Sequence, residues 1–110
     1  MTYLDRIQLL KTYIQEEPEN PFNYYALGLE FKEKDPLEAS KMFDYVLEKF
    51  PNYLAVYFPS AHFFFELDQL EKAKHIFETG IQLATSQQEE KALKELRNAY
   101  QNFLFETDLE

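Results

Sequence analysis

The chain contains no cysteine and only two glycines among its 110 residues. The first absence excludes disulfides, thiol catalysis and cysteine-bound zinc, and it leaves the redox compartment open. The second argues against a turn-rich β fold and, with Phe and Leu throughout, points to helices. Positive charge is also scarce: 11 Lys and Arg stand against 20 Asp and Glu, a formal net charge of −9. That balance excludes nucleic acid and anionic membrane surfaces as main partners, since both are polyanions. No stretch reaches the roughly 18 apolar residues of a membrane span. The polar opening Met1-Thr2-Tyr3-Leu4-Asp5-Arg6 lacks the apolar run and cleavage pattern of a signal peptide. The expectation is a soluble cytoplasmic protein.

What is present is apolar surface. Hydrophobic residues make up 45% of the chain and aromatics 17%, enough for one domain with a modest core. Capping signals punctuate it. Asn20-Pro21 offers an N-cap followed by proline at the first helical position. Asp35-Pro36-Leu37-Glu38 adds a capping box, and Asp68-x-x-Glu71 and Ser86-x-x-Glu89 repeat that signature. Asn52, after Pro51, marks another start. Six helices are predicted, roughly 2–16, 21–34, 36–50, 53–67, 69–84 and 86–106, with no strand. Leu4, Ile7, Leu10 and Ile14 form an apolar stripe on the first; Leu93, Leu96, Tyr100, Phe103 and Leu104 form one on the last. The short connections imply antiparallel hairpins. The acidic tail from Glu106 to Glu110 is expected to fray.

The chain also repeats itself. Tyr24, Tyr25, Gly28, Phe31 and Glu33 are followed 33 residues later by Tyr57, Phe58, Ala61, Phe64 and Glu66. Ala39, Met42, Phe43, Val46 and Leu47 are followed 34 residues later by Ala73, Ile76, Phe77, Gly80 and Ile81. Such a period marks stacked units that cannot bury their apolar faces alone. The core is expected at Leu27, Phe31, Phe43, Leu47, Phe64, Phe77 and Ile81. The small residues Gly28, Ala39, Ala61, Ala73 and Gly80 are expected at helix crossings.

These positions resemble the tetratricopeptide repeat (TPR) family, whose unit is two antiparallel helices, A and B. Tyr24, Leu27, Gly28, Phe31, Ala39, Phe43 and Pro51 match its pattern in the first repeat, and Tyr57, Ala61, Phe64, Ala73, Phe77 and Gly80 in the second. Leu9, Leu10, Tyr13, Ile14 and Pro18 lie 33 residues before Met42, Phe43, Val46, Leu47 and Pro51, so the first helix resembles a lone helix B. The resemblance implies an all-α, TPR-like right-handed solenoid forming one domain over 1–110. Its parts are a half-repeat helix (1–18), two repeats (21–51 and 52–85) and a solvating cap helix (86–106). Two departures stand out. The first repeat is one residue short at its A–B turn. Pro59-Ser60 interrupts the second helix A, which implies either a kink near Ala55–Pro59 or a helix that starts late.

Nothing in the sequence assembles an enzyme. His62 and His75 are the only histidines and lack further ligands at metal-binding spacing. No glycine-rich loop or nucleophile elbow occurs, and the carboxylate pairs Glu16-Glu17 and Glu89-Glu90 read as solvated surface. No cofactor and no metal are expected. The family resemblance instead implies a protein-binding scaffold whose helix A residues line a concave groove. The corresponding positions are Phe22, Tyr25, Leu29 and Lys32 in the first repeat and Ala55, Phe58, His62 and Phe65 in the second. Only Lys32 among them is basic, so the carboxylate clamp of some family members is not supported. Two readings of the aromatics remain. They form core covered by Leu96, Tyr100 and Phe103 of the last helix, or an open patch for a partner protein or a second copy in a homodimer.

Overall fold

Side chains that accept hydrogen bonds from free backbone N–H groups set the first three helix starts. In the computed structural model, which describes residues 1–109, Thr2 opens α1 (Tyr3–Glu16). Its hydroxyl accepts from the Asp5 N–H at 3.1 Å, and the Asp5 carboxylate accepts from the Thr2 N–H at 3.2 Å. Sequence reasoning had no signal assigned to this box. Asn20 caps α2 (Pro21–Phe31) by accepting from the Phe22 N–H at 3.0 Å. Asp35 caps α3 (Pro36–Lys49), accepting from the Glu38 N–H at 3.3 Å. The expected return bond from Glu38 is not made. The Asp35 N–H already donates to the Phe31 carbonyl at 2.7 Å, and Glu38 pairs with Lys41 at 2.9 Å.

The second half starts its helices differently. After Asn52 the chain makes a 3-10 turn, Leu54–Val56, before α4 (Tyr57–Glu66), which has no side-chain cap. Of the two outcomes expected at Pro59, the late start is the one found. Pro59 falls in the first turn of α4, where its missing N–H has no intrahelical acceptor to lose. The Ser60 hydroxyl donates to the Val56 carbonyl at 2.6 Å. The capping boxes expected at Asp68 and Ser86 do not form either. Asp68 and Gln88 take left-handed backbone, φ 63° and 59°. Around them the Gln69 N–H donates to the Phe64 carbonyl at 2.9 Å, and the Glu89 N–H to the Ala84 carbonyl at 3.0 Å. The inner bonds of each turn run from Asp68 to Phe65 and from Gln88 to Thr85. This is a Schellman termination, which satisfies the last carbonyls of a helix without any cap from the next. Ser86 accordingly ends α5 (Leu70–Ser86), and α6 (Glu90–Thr107) begins later than expected. The tail expected to fray is helical to Thr107, and Glu110 lies outside the described residues.

The helices fall into two compact units, Met1–Tyr53 with α1–α3 and Leu54–Glu110 with α4–α6. In the first, Ile7, Leu27, Phe31, Ala39, Phe43 and Val46 are buried. A Cβ on Gly28 would stand 2.7 Å from the Phe43 ring, so a larger residue there forces that ring to shift. In the second, Val56, Tyr57, Phe63, Phe64, Ile76, Phe77, Leu96 and Phe103 are buried around Ala61, Ala73 and Ala84. A Cβ on Gly80 would meet the Tyr57 Cβ at 2.8 Å and Leu96 at 3.4 Å. Leu47 and Ile81, expected in the core, are only half-buried. The buried stripe of α3 runs 39, 43, 46 and that of α5 runs 73, 76, 77, 80, 84, which leaves 47 and 81 at the edge.

Candidate functional site

Helix α4 carries two apolar faces and no Lys or Arg. Tyr57, Ser60, Ala61, Phe63 and Phe64 point into the unit. Phe58, His62 and Phe65, at helical spacing, make the other face, with neighbouring ring centroids 6.5 and 6.4 Å apart. Because α4 and α6 both pack antiparallel to α5, they run in the same direction, and a furrow opens between them.

Two cavities lie end to end in this furrow. The first, about 410 Å³, is walled by Leu54, Ala55, Phe58 and Pro59 and, across from them, Ala92, Glu95 and Leu96. The second, about 280 Å³, is walled by Phe58, His62 and Phe65 against Ala99, Asn102, Phe103 and Glu106, with buried Phe77 beneath. Phe58 belongs to both and is 42% exposed. The walls advance in register: Ala55 to His62, Phe58 to Phe65, Ala92 to Ala99 and Leu96 to Phe103 are each steps of seven.

Helix α6 divides its aromatic and apolar residues between core and furrow. Phe103 is buried and meets Phe65 edge-on at 5.1 Å, which leaves Phe65 half-buried. Tyr100 turns toward α5, where its ring lies 5.7 Å from Phe77 and its hydroxyl donates to Glu78. Burial, the bond to Glu78 and that carboxylate's charge push its phenol up to about 12. Phe58 and His62 are left exposed.

In the first unit, Phe22, Tyr25, Leu29 and Lys32 share one face of α2. Phe22 and Leu29 are exposed, while Tyr25 and Lys32 are half-buried. Tyr25 lies edge-on to Phe22 at 6.5 Å and to Tyr53 at 5.8 Å. Burial holds the phenols of Tyr25 and Tyr53 above their ordinary value. A cavity of about 380 Å³ in this unit is lined by Pro21, Lys49, Phe50, Pro51, Asn52 and Tyr53 and includes none of the four. The structure therefore gathers Phe58, His62 and Phe65 with Ala55 along one furrow and leaves the α2 residues as a helix face. Sequence reasoning placed Leu96 and Phe103 of the last helix over these aromatics but missed Ala92, Glu95, Ala99, Asn102 and Glu106 of the same wall, for which the seven-residue step from Ala92 to Ala99 was a signal. His75 is exposed on α5, away from His62's furrow lining. Among the described residues, no three His, Asp or Glu side chains are grouped to hold a metal, and no helix is long and apolar enough to cross a membrane.

Antiparallel hairpins recurring at 33–34 residues define a helical-repeat protein. The repeat is similar to the tetratricopeptide type. A solution NMR structure of a tetratricopeptide repeat domain protein from Salinibacter ruber matches with a TM-score of 0.74 and 29% identity, over 86% of this chain and 93% of that one. A crystal structure of a tetratricopeptide repeat domain protein from the same organism matches with a TM-score of 0.72 and 29% identity, over 84% of this chain and all of that one. No family model and no curated protein matches the chain. The chain is thus a small TPR-like protein.

Proposed function

We propose that this chain is a non-enzymatic interaction module of the cytoplasm that binds a segment of another protein in the α4–α6 furrow. A TPR-like fold suggests a protein-binding role, and one observation carries the rest: Phe58, a large aromatic ring, stands 42% exposed between two apolar cavities. An open ring flanked by unfilled apolar space is the usual anchor of a protein interface. His62 and Phe65 extend the contact, and Phe22, Tyr25, Leu29 and Lys32 offer a second face in the first unit. The net charge of −9 favours a protein partner over nucleic acid or membrane.

The test is selection of binders from a displayed peptide library on wild type, followed by titration against Phe58→Ala. The variant should lose about 2 kcal/mol or more of affinity while melting close to wild type, because an exposed ring has few contacts to lose. Unchanged affinity, or a library that yields no binder, overturns the reading. A dimer in sedimentation that Phe58→Ala dissolves transfers the face to a second copy of the chain.

A further inference from the structure

We infer that the occupant of the α4–α6 furrow is an amphipathic helix carrying two large apolar side chains seven residues apart, with Lys or Arg toward its two ends. The inference rests on the proposed binding role of the furrow and specifies the partner's chemistry. Both walls repeat at seven residues, Phe58 to Phe65 on α4 and Leu96 to Phe103 on α6, so equivalent points along the furrow are about 10.5 Å apart at the rise of an α-helix. A helical guest presents side chains at that spacing on one face, because seven residues are close to two full turns. An extended guest does not. Its same-face side chains recur at about 6.8 Å and 13.6 Å, on either side of the cavity spacing.

Charge settles the flanks. The carboxylates lining the furrow are Glu95 in the first cavity and Glu106 in the second, and no Lys or Arg lines either one. The basic residues of α6 lie elsewhere: Lys91 and Lys94 are exposed outside both cavities, and Arg97 lines a separate hollow with Ile81 and Leu104. Glu95 and Glu106 are eleven residues apart, about 16 Å along α6. Eleven residues also bring a helical guest back to the same face, so cations at its two ends meet both carboxylates while the apolar pair fills the cavities.

The experiment uses three alanine-rich helical peptides with a fluorescent label, titrated by anisotropy into the full chain. The first has two leucines seven apart and lysines at both ends. The second moves one leucine to a spacing of five, and the third replaces the lysines with glutamates. The first should bind about tenfold more tightly than either other. Its advantage over the glutamate peptide should shrink in high salt and in the Glu95→Gln/Glu106→Gln variant. Equal affinities for the two leucine spacings overturn the helical register, and equal affinities for the two charge patterns overturn the flanks. If library-selected peptides bind in the furrow but gain no helicity, this inference fails while the binding role stands. If neither designed nor selected peptides bind, both fail.

Discussion

In the first unit the glycine sits on the leading helix of the hairpin, where Gly28 admits the ring of Phe43. In the second it sits on the trailing helix, where Gly80 admits the Cβ of Tyr57. The exchange has a visible result. Val46 occupies in α3 the place that Gly80 occupies in α5, and Tyr24, the counterpart of Tyr57, stays half-buried. Its hydroxyl donates to the Pro18 carbonyl at 2.8 Å, and its ring packs tilted against Tyr45 with centroids 4.7 Å apart. Tyr57, freed by Gly80, is buried. One repeat pattern thus supports two packings, and the location of the smallest residue decides which tyrosine enters the core.

The largest test of this contrast is truncation of the central rings. Phe43→Ala and Phe77→Ala should each cost about 3–5 kcal/mol in denaturant unfolding. Phe77 should be the costlier, because it also packs at 5.7 Å on Tyr100 and 5.4 Å on Phe103 and so ties α6 to α5. A smaller loss at Phe77 than at Phe43 breaks that account. The glycines come next. Alanine raises helix propensity by about 1 kcal/mol but introduces overlap that costs about 1–3 kcal/mol. At Gly28 the obstacle is the far edge of the Phe43 ring, which can tilt. At Gly80 it is a Cβ fixed to the α4 backbone. Gly80→Ala should therefore lower the melting temperature more than Gly28→Ala.

The turns sharpen the contrast at lower cost. Gln88→Gly should raise stability by about 0.5–1 kcal/mol, since glycine takes a left-handed backbone without penalty. Lys34→Gly, in the connection where no residue has positive φ, should give no gain. A further effect is alkaline. Tyr100 has its phenol raised from 10.0 to about 12, so the fold favours the neutral form. That contribution is intact below the unfolded value and is lost as pH rises through the folded one. Wild type should lose stability between about pH 10 and 12, and Tyr100→Phe should lose less over the same window.

How much of this was legible depended on which forces were local. The hairpins, the buried Phe43, Phe64 and Phe77 and the crossings at Gly28 and Gly80 follow from periodicity and residue size. Caps were readable where proline removed alternatives, as at Asn20-Pro21 and Asp35-Pro36. They failed at Asp68 and Ser86 because the preceding helix claimed those residues for its own termination, a competition that a capping motif does not register. The late start of α4 was one of two outcomes that Pro59 allowed. At the site, Phe58, His62 and Phe65 could be placed by repeat position and Leu96 and Phe103 as apolar residues facing them, but the polar part of the opposite wall could not. Polar residues on α6 look alike in sequence whether they face open solvent or rim a furrow.

The terminations at Asp68 and Gln88 have a consequence in time. The amides of Gln69 and Glu89 lie outside any helix, yet they donate to the carbonyls of Phe64 and Ala84, both fully buried residues. Neither amide can meet solvent unless the end of the preceding helix unwinds with it. In deuterium oxide these two loop positions should therefore exchange on the slow clock of helix opening rather than with the fast loops, and the two joints flanking α5 should open only as its unit does.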